Sequence, residues 1–428
     1  MKYWIGKQLH LLFDGLWRNR DFRRLWTSLT ITHFGGQITF LALPLTAAIM
    51  LHATPFEMGV LTALEALPFA LFGLFTGVLV DRSRKLPLII IADVGRGVAL
   101  LAVPIAAWFG MLSMTILCIV GFLVGSGGMV GWAAYQVFMT ERVGRENLTE
   151  ANAKIALAES SAQLIGPGIA GVAIQWLTAP FAILLDAISF FISAWMLKGI
   201  EPGAADAPKR SNDRNATSVW SEIAEGLRMI RHNRLLRSIA WGLGLWNLLR
   251  HMYLTIIILF ATRDLALSPG AVGLAWMGGG VGCLGASFFA KRINERYGVG
   301  VTMLGGLFLT GIAWGLIAFT QPGNIATGLV LASGILAFDF GGTLFFINYL
   351  SLRQAVTPDH LLGRVISTMI FLTVATAPLG SLLGGALGEW VGLRGTLVIT
   401  AVAGVVLGLA LMRLSPLSGM RVLPQPNI

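Results

Sequence analysis

The sequence predicts an all-α membrane protein of twelve transmembrane helices arranged as two parallel six-helix bundles. Three observations carry this. The 428 residues are 55% hydrophobic and only 12% charged, with a mean hydropathy of +0.75, whereas a soluble domain carries about 25% charged residues. Apolar runs of bilayer-crossing length, about 20 residues, occur twelve times. And the two halves of the chain repeat the same features at a nearly constant spacing.

The runs lie near 24–50, 57–80, 86–108, 111–138, 152–177, 179–198, 236–262, 269–290, 299–320, 325–350, 362–388 and 393–413. Their orientation follows from lysine and arginine. Of the 31 such residues, Arg96 and Arg250 fall inside helices, and Arg263 and Arg394 fall in loops of the outer side. All the others lie in, or within a few residues of, the amino terminus, the segments near 81–85, 140–150, 198–235, 291–298 and 351–364, and the tail. Alternate segments share one face, so the positive-inside rule places both termini and the long central loop in the cytoplasm. It also requires an even number of spans. The net charge of +10 is thus a topological signal, and no nucleic-acid partner is expected. Arg18, Arg20, Asp21, Arg23 and Arg24 precede the first long run without a nearby cleavage site, so no cleavable signal is expected. The two cysteines, Cys118 and Cys283, both lie in apolar runs, which argues against a disulfide framework or a thiolate metal site.

The second and third helices are joined by the tightest charged turn in the chain, Gly77 to Arg96, GVLVDRSRKLPLIIIADVGR. Arg82, Arg84 and Lys85 taken singly are ordinary cytoplasmic anchors. Asp81 beside them, and Asp93 and Arg96 within the third helix, need another reason, because charge at or inside hydrocarbon is costly unless it is paired or functional.

Residues 199–235 form the only long polar stretch and separate an amino-terminal bundle (1–198) from a carboxy-terminal one (236–428). The stretch begins as flexible linker, EPGAADAPKRSNDRNATS. It continues as an amphipathic helix with Val219, Trp220, Ile223, Leu227 and Ile230 on one face and Glu222, Glu225, Arg228 and Arg231 elsewhere. Such a helix suits the inner membrane surface; packing on the ends of the bundles is the alternative. Across the linker, Val143, Glu146 and Leu148 are answered by Val356, Asp359 and Leu361, each 213 residues on, and Pro167 is answered by Pro378. Parallel six-helix repeats meeting at a central pathway are a transporter architecture.

With these pieces in place the chain resembles the major facilitator superfamily over nearly all its length. The superfamily's loop signature G-x-L-x-D-R-x-G-R is matched by Gly77, Leu79, Asp81 and Arg82, with Arg84 and Lys85 departing from its glycine and arginine. More narrowly, the chain resembles the bacterial exporter subgroup that includes the enterobactin exporter and macrolide efflux proteins. The matching pieces are Asn19–Trp26, Ala92–Arg96, Leu148–Asn152, Gly166–Pro167, Asp186–Phe190 and Leu362–Val365. The resemblance implies the major facilitator fold in a bacterial cytoplasmic membrane. It further implies export of a small, amphipathic compound by proton antiport, with the proton gradient as energy source and no cofactor.

It also implies roles. Asp81 is expected to latch the halves on the cytoplasmic side, near the amino-terminal end of helix eleven, when the outside is open; a carboxylate there gains about 0.3–1 kcal/mol from the helix dipole. Arg82 and Lys85 would hold Asp81, and Arg96 would hold Asp93, so the gate is Gly77, Asp81, Arg82, Lys85, Asp93 and Arg96. The fifth helix carries Gly166, Pro167 and Gly171 where exporters have a glycine-rich motif; generic close packing is the other reading. Candidate pathway residues are Gln37, Glu65, Glu159, Arg250 and Asp339. Arg250 and Asp339 lie at matching depth in helices seven and ten, as an ion pair, a cargo or proton site, or a structural pair. Asp186 reads as a structural hydrogen-bonding residue. Phe34, Phe40, Trp132, Tyr135, Trp246 and Phe346 are aromatics that suit an amphipathic cargo if they face the pathway.

Two absences bear on mechanism. The fourth helix has no arginine, and Gly35-Gly36-Gln37 replaces a glycine followed by an acid, so proton coupling must use Glu65, Glu159 or Asp339. No Walker loop is present, the six histidines show no metal-ligand spacing, and no enzyme activity or metal site is expected. A monomer in the bilayer, with a small-molecule substrate, is the expected working unit. A facilitator or importer of a small metabolite is the alternative, and a non-transporting membrane sensor of the same fold is the alternative from another class.

Overall fold

The computed structural model describes residues 15–201, 216–323 and 325–422. Its membrane helices are α1 (Arg20–Met50), α2 (Pro55–Arg82), α3 (Lys85–Trp108), α4 (Met114–Val143), α5 (Leu148–Leu177) and α6 (Ala179–Lys198). The second set is α7 (Arg234–Asp264), α8 (Pro269–Tyr297), α9 (Val299–Ala318) and α10 (Ile325–Val356). It ends with α11, in two segments (Asp359–Val374 and Thr376–Trp390), and α12 (Gly392–Leu414). Among the described residues, eleven of these are apolar enough to count as spans by composition. The exception is α5, whose first turns carry Glu150, Lys154 and Glu159; at 30 residues it is as long as its neighbours.

Local chemistry sets the ends. Asn19 caps α1 by accepting from the N–H groups of Asp21 and Phe22 at 2.9 and 3.1 Å. Thr54 and Glu57 form a reciprocal capping box around Pro55 at the start of α2; such a box satisfies two orphan N–H groups at once. At the start of α8 Ser268 caps ahead of Pro269 by accepting from the Ala271 N–H at 3.3 Å, without a reciprocal bond. In α11 the regular helix breaks at Ala375. Pro378 has no N–H for the carbonyl of Val374 and crowds it, and Asn247 of α7 donates to the Thr373 carbonyl at 2.8 Å and to Thr376 Oγ1 at 3.2 Å.

The two sets pack alike. α1 rests on α5 and α6, as α7 rests on α11 and α12. α4 bridges α2 and α3, as α10 bridges α8 and α9, and α3–α6 matches α9–α12. The repeat reaches single residues. Both α1 and α7 end in a π-helical turn, Thr46–Met50 and Phe260–Asp264. Each is followed by a non-glycine residue in the left-handed region, His52 at φ 49° and Ala266 at φ 51°. These equivalent positions are 214 residues apart, one more than the 213 of the loops on the other face.

Exposed tryptophans mark both rims, with Trp108, Trp176 and Trp390 on the face away from the chain termini and Trp195 and Trp241 toward the terminal face. Amphipathic indole rings favour these two interfaces. Between the rims the hydrophobic core has an uneven shape. On the far side one continuous cluster runs through both sets, from Leu41, Met58 and Ile183 to Ile256, Trp314 and Leu397. On the terminal side the core is split. Phe22, Val80, Ile89 and Phe138 of the first set belong to one part, Ile230, Leu236, Phe345 and Met369 of the second set to another, and Ala286, Ala290 and Leu344 of the second set to a small third.

The amphipathic helix spans Ala216–His232. The expectation that it lies on the membrane surface is corrected. A methyl at Gly226 would stand 2.3 Å from Thr368 Oγ1 and 2.8 Å from the Arg364 carbonyl, and Arg364 pairs with Glu225. Ile230 is buried, whereas Leu227 is 48% exposed. The helix is therefore docked on the first segment of α11, the alternative weighed above. Val219, Trp220 and Ile223 belong to this helix's backbone, and linker residues 202–215 lie outside the described residues.

Candidate functional site

The two helix sets meet through α2 against α11 and α5 against α8. Small residues make this possible. A methyl at Gly171 would stand 2.8 Å from the Pro269 carbonyl, and one at Gly273 only 2.3 Å from the Pro167 carbonyl. A methyl at Gly385 would stand 2.7 Å from the Pro55 carbonyl, and one at Gly59 2.8 Å from the Ser381 carbonyl. Every partner in one contact is 214 residues from its counterpart in the other. The residue equivalent to Pro167 is thus Ser381, not Pro378, which lies almost a turn away and serves the α11 break instead. Of the exporter-motif residues, Pro167 and Gly171 form this interface. Gly166 faces the other way, with its missing methyl filled by Gln37 of α1.

Toward the far face, side chains lock the same interface. The Phe56 N–H, at the start of α2, donates to Glu389 Oε2 of α11 at 3.3 Å. The Gly270 N–H, at the start of α8, donates to Gln175 Oε1 of α5 at 3.1 Å. Again 214 residues separate the partners. Arg263 of α7 donates to the Ala53 carbonyl at 2.8 Å and the Ala48 carbonyl at 3.4 Å, and the hydroxyls of Thr62 and Thr255 meet at 2.9 Å. These contacts were not read from the sequence. Their signal was present in the four residues Phe56, Gln175, Gly270 and Glu389, but only at the spacing of 214.

The loop signature sits on the terminal face. Gly77 is exposed, and a methyl there would meet nothing within 4 Å. Asp81 is half-buried and Arg82 exposed, while Lys85 is 0% exposed. Among the described residues Asp81 makes no hydrogen bond or ion pair, so Arg82 and Lys85 do not hold it in this state.

Inside the first set, Asp93 accepts from Ser193 Oγ of α6 at 2.6 Å, rather than from Arg96. The Arg96 guanidinium lies 4.0 Å over the Phe190 ring, a cation–π contact, and its Nε is buried without a partner. Asp186, 1% exposed, accepts from Thr39 and from Ser189 Oγ at 2.9 Å, the Thr39 bond being the shorter. Glu159 is exposed beside Gln163 at 3.4 Å. Glu65 does not reach another charge; its chain lies against Gly121 and Gly125 of α4.

In the second set Arg250 and Asp339 are each other's carboxylate–guanidinium neighbour. No direct ion pair joins them, which corrects the simplest expectation for this pair. Asp339 instead fills the space that a side chain at Gly279 would need, 2.3 Å from the built methyl position. Two of the aromatics that suit a cargo by type pack against the core. Trp246 donates to Thr310 Oγ1 at 3.1 Å and stacks on Phe338 at 6.3 Å, and Tyr135 is buried among α4 neighbours. Phe40, Trp132 and Phe346 are exposed, and Phe34 is half-buried.

A twofold-repeated helix bundle, sealed along α2–α11 and α5–α8 on one side and parted on the other, defines a major facilitator transporter. The chain belongs to the transmembrane secretion effector family of that superfamily, whose model matches residues 16–424. It is 27% identical over 390 residues to the multidrug efflux pump Tap of Mycobacterium tuberculosis, covering 87% of this chain and 88% of that protein. It is 23% identical over 380 residues to the enterobactin exporter EntS of Citrobacter koseri, covering 87% and 86%. The fold is similar to crystal structures of the nucleoside transporter NupG (TM-score 0.73, 13% identity, 92% of this chain and 98% of that one) and of a bacterial homologue of the iron transporter ferroportin in its inward-facing state (TM-score 0.63, 16% identity, 92% and 99%).

Proposed function

We propose that the chain exports small, amphipathic compounds across a bacterial cytoplasmic membrane by alternating access, driven by proton antiport. The observation that supports this most is the core that is single on the far side and divided on the terminal side. With the termini in the cytoplasm, as the basic loops argue, that is a pathway closed outward and open inward. Residues 1–198 and 236–428 then rock as two bodies about the α2–α11 and α5–α8 seams, with the helix Ala216–His232 riding on the second. Efflux by relatives such as Tap and EntS favours the outward direction. The gate is Gly77, Asp81, Arg82 and Lys85 on the inner side; it is unmade in the inward-open state, as the free Asp81 carboxylate agrees. Glu159, Gln37, Arg250 and Asp339 are pathway residues under this reading.

Everted vesicles containing the protein, with ethidium added outside as a cationic amphiphilic probe, test it. An imposed gradient, acid inside, should drive ethidium uptake into the vesicles that an uncoupler abolishes. Uptake equal to that of empty vesicles would reject amphipathic-cation export, and uptake insensitive to the uncoupler would reject proton coupling. A cysteine at Ser211, in a background without Cys118 and Cys283, should label only from the cytoplasmic side; labelling by an impermeant reagent on intact cells would reverse the orientation.

A further inference from the structure

Deep between α3 and α6 of the first helix set, two buried acids face one guanidinium. Asp93 of α3 and Asp186 of α6, 7% and 1% exposed, share one cationic neighbour, Arg96. The hydroxyls that serve the acids are ordered along one line. Ser189 and Ser193 lie one turn apart on α6, bonding Asp186 and Asp93 in turn, and Thr39 of α1 closes the line from the other side. Arg96 is one turn from Asp93 on α3, is held on Phe190, and makes a direct ion pair with neither carboxylate. Gly35 leaves room for Asp186 and Gly127 leaves room for the Arg96 chain, since methyls there would stand 2.3 Å and 2.6 Å from them. The site is therefore built, and one guanidinium cannot neutralise two carboxylates. An unbalanced buried charge is costly, and protonation removes it.

We propose that Asp93 and Asp186 share a single exchangeable proton, with Arg96 balancing whichever carboxylate is ionised. Two interacting carboxyls of this kind titrate as one unit. Release breaks one carboxyl O–H bond, leaves the electron pair on oxygen and passes the proton to water. The other charged or titratable groups facing the site are few. His33 of α1 feels the charges of both Arg96 and Glu159 of α5, and α4 carries no ionisable residue other than Cys118 and Tyr135 before Glu141. Arg96 is half-buried where the acids are buried, so the exit runs past its head toward His33 and Glu159. The proposal gives the proton of the antiport reading a place; it rests on that reading for its purpose, but not for its test.

The test is infrared difference spectroscopy of the full chain in lipid vesicles, in a Glu65→Gln/Asp339→Asn background that removes other deep acids. A buried, protonated carboxyl C=O stretch should titrate as one band. Asp186→Asn and Asp93→Asn should each abolish the whole band, because the remaining acid is balanced by Arg96, and Asp186→Glu should restore it. Arg96→Gln should raise it about twofold, both acids then being protonated. A band unchanged in both Asn variants, or halved in each, would overturn the shared proton. Should an Asn variant elute as aggregate, Arg96→Gln decides: doubling supports the site and an unchanged band rejects it. Ethidium uptake without a pH gradient, alongside a band that behaves as described, would reject the antiport reading while leaving the proton site standing.

Discussion

The carboxylate of Glu389 accepts the Phe56 N–H across the two helix sets, and the Gln175 amide accepts the Gly270 N–H in the position related by the internal repeat. Helix starts leave N–H groups without intrahelical partners. Here a side chain from the opposite set satisfies one of them on each side. The N–H groups of Phe56 and Gly270 are therefore partnered only while the far face is closed, which makes these bonds a latch on that face.

Removing the latch should open the outside. A cap bond contributes about 0.5–2 kcal/mol, which shifts a two-state equilibrium by roughly 2- to 30-fold. Glu389→Ala with Gln175→Ala should raise outside labelling of a cysteine at Thr62 by that order, in a background free of native cysteines. Glu389→Gln should remain near the wild-type rate, because the amide still accepts. Equal labelling in the double Ala variant and the parent would show that these bonds do not hold the far face.

Closure itself depends on backbone approach at Gly171 and Gly273. A Val at either position places carbon within 3 Å of a proline carbonyl on the partner helix. Gly171→Val and Gly273→Val should insert normally yet cut ethidium uptake in everted vesicles at least ~10-fold, the factor for about 1.4 kcal/mol. Gly36, which has open space around it, should tolerate Ala with uptake within about twofold of wild type.

Under the proposed gate, Asp81 acts in the opposite state. Asp81→Asn should leave expression and detergent stability unchanged, since the residue has no partner when the inside is open, but should slow transport by weakening the outward-open form. A carboxylate at a partly buried helix end contributes up to about 2 kcal/mol, so a fall of up to roughly 30-fold is expected. Wild-type transport by this variant would dismiss the latch.

Arg250 and Asp339 feel each other without touching. Their thermal unfolding in detergent should therefore be coupled, but less than for a contacting buried pair, whose disruption costs about 3–5 kcal/mol. Arg250→Met and Asp339→Leu should each lower stability. The double variant should recover part of the loss, with an interaction term of about 0.5–3 kcal/mol. Strict additivity would mean that the two charges are independently solvated.

Much of this molecule is legible in one dimension. The apolar runs mark the spans, the Lys and Arg asymmetry gives them a common face, and Val143–Leu148 against Val356–Leu361 announces the repeat. The reading fails where it needs helix rotation. A helix bounded by lipid and by apolar neighbours is hydrophobic all round, so no polar stripe says which face turns inward. Trp246 and Tyr135 suit a cargo by residue type, yet they pack on the core. Asp186, read as structural, stands beside Asp93 and Arg96 because α3 and α6 happen to cross there.

By itself, then, the sequence determined the number of helices, their alternation across the bilayer and the doubling of a six-helix unit, because hydrophobic transfer and charge placement are local properties additive along the chain. Only the tertiary structure decided which residues meet: Glu389 with Phe56, Gln175 with Gly270, Gly171 with Gly273, and two aspartates with one arginine. Those pairings depend on how each helix is rotated and slid against another. Close packing at small residues sets rotation and register, and a shift of one residue turns a helix face by about 100°.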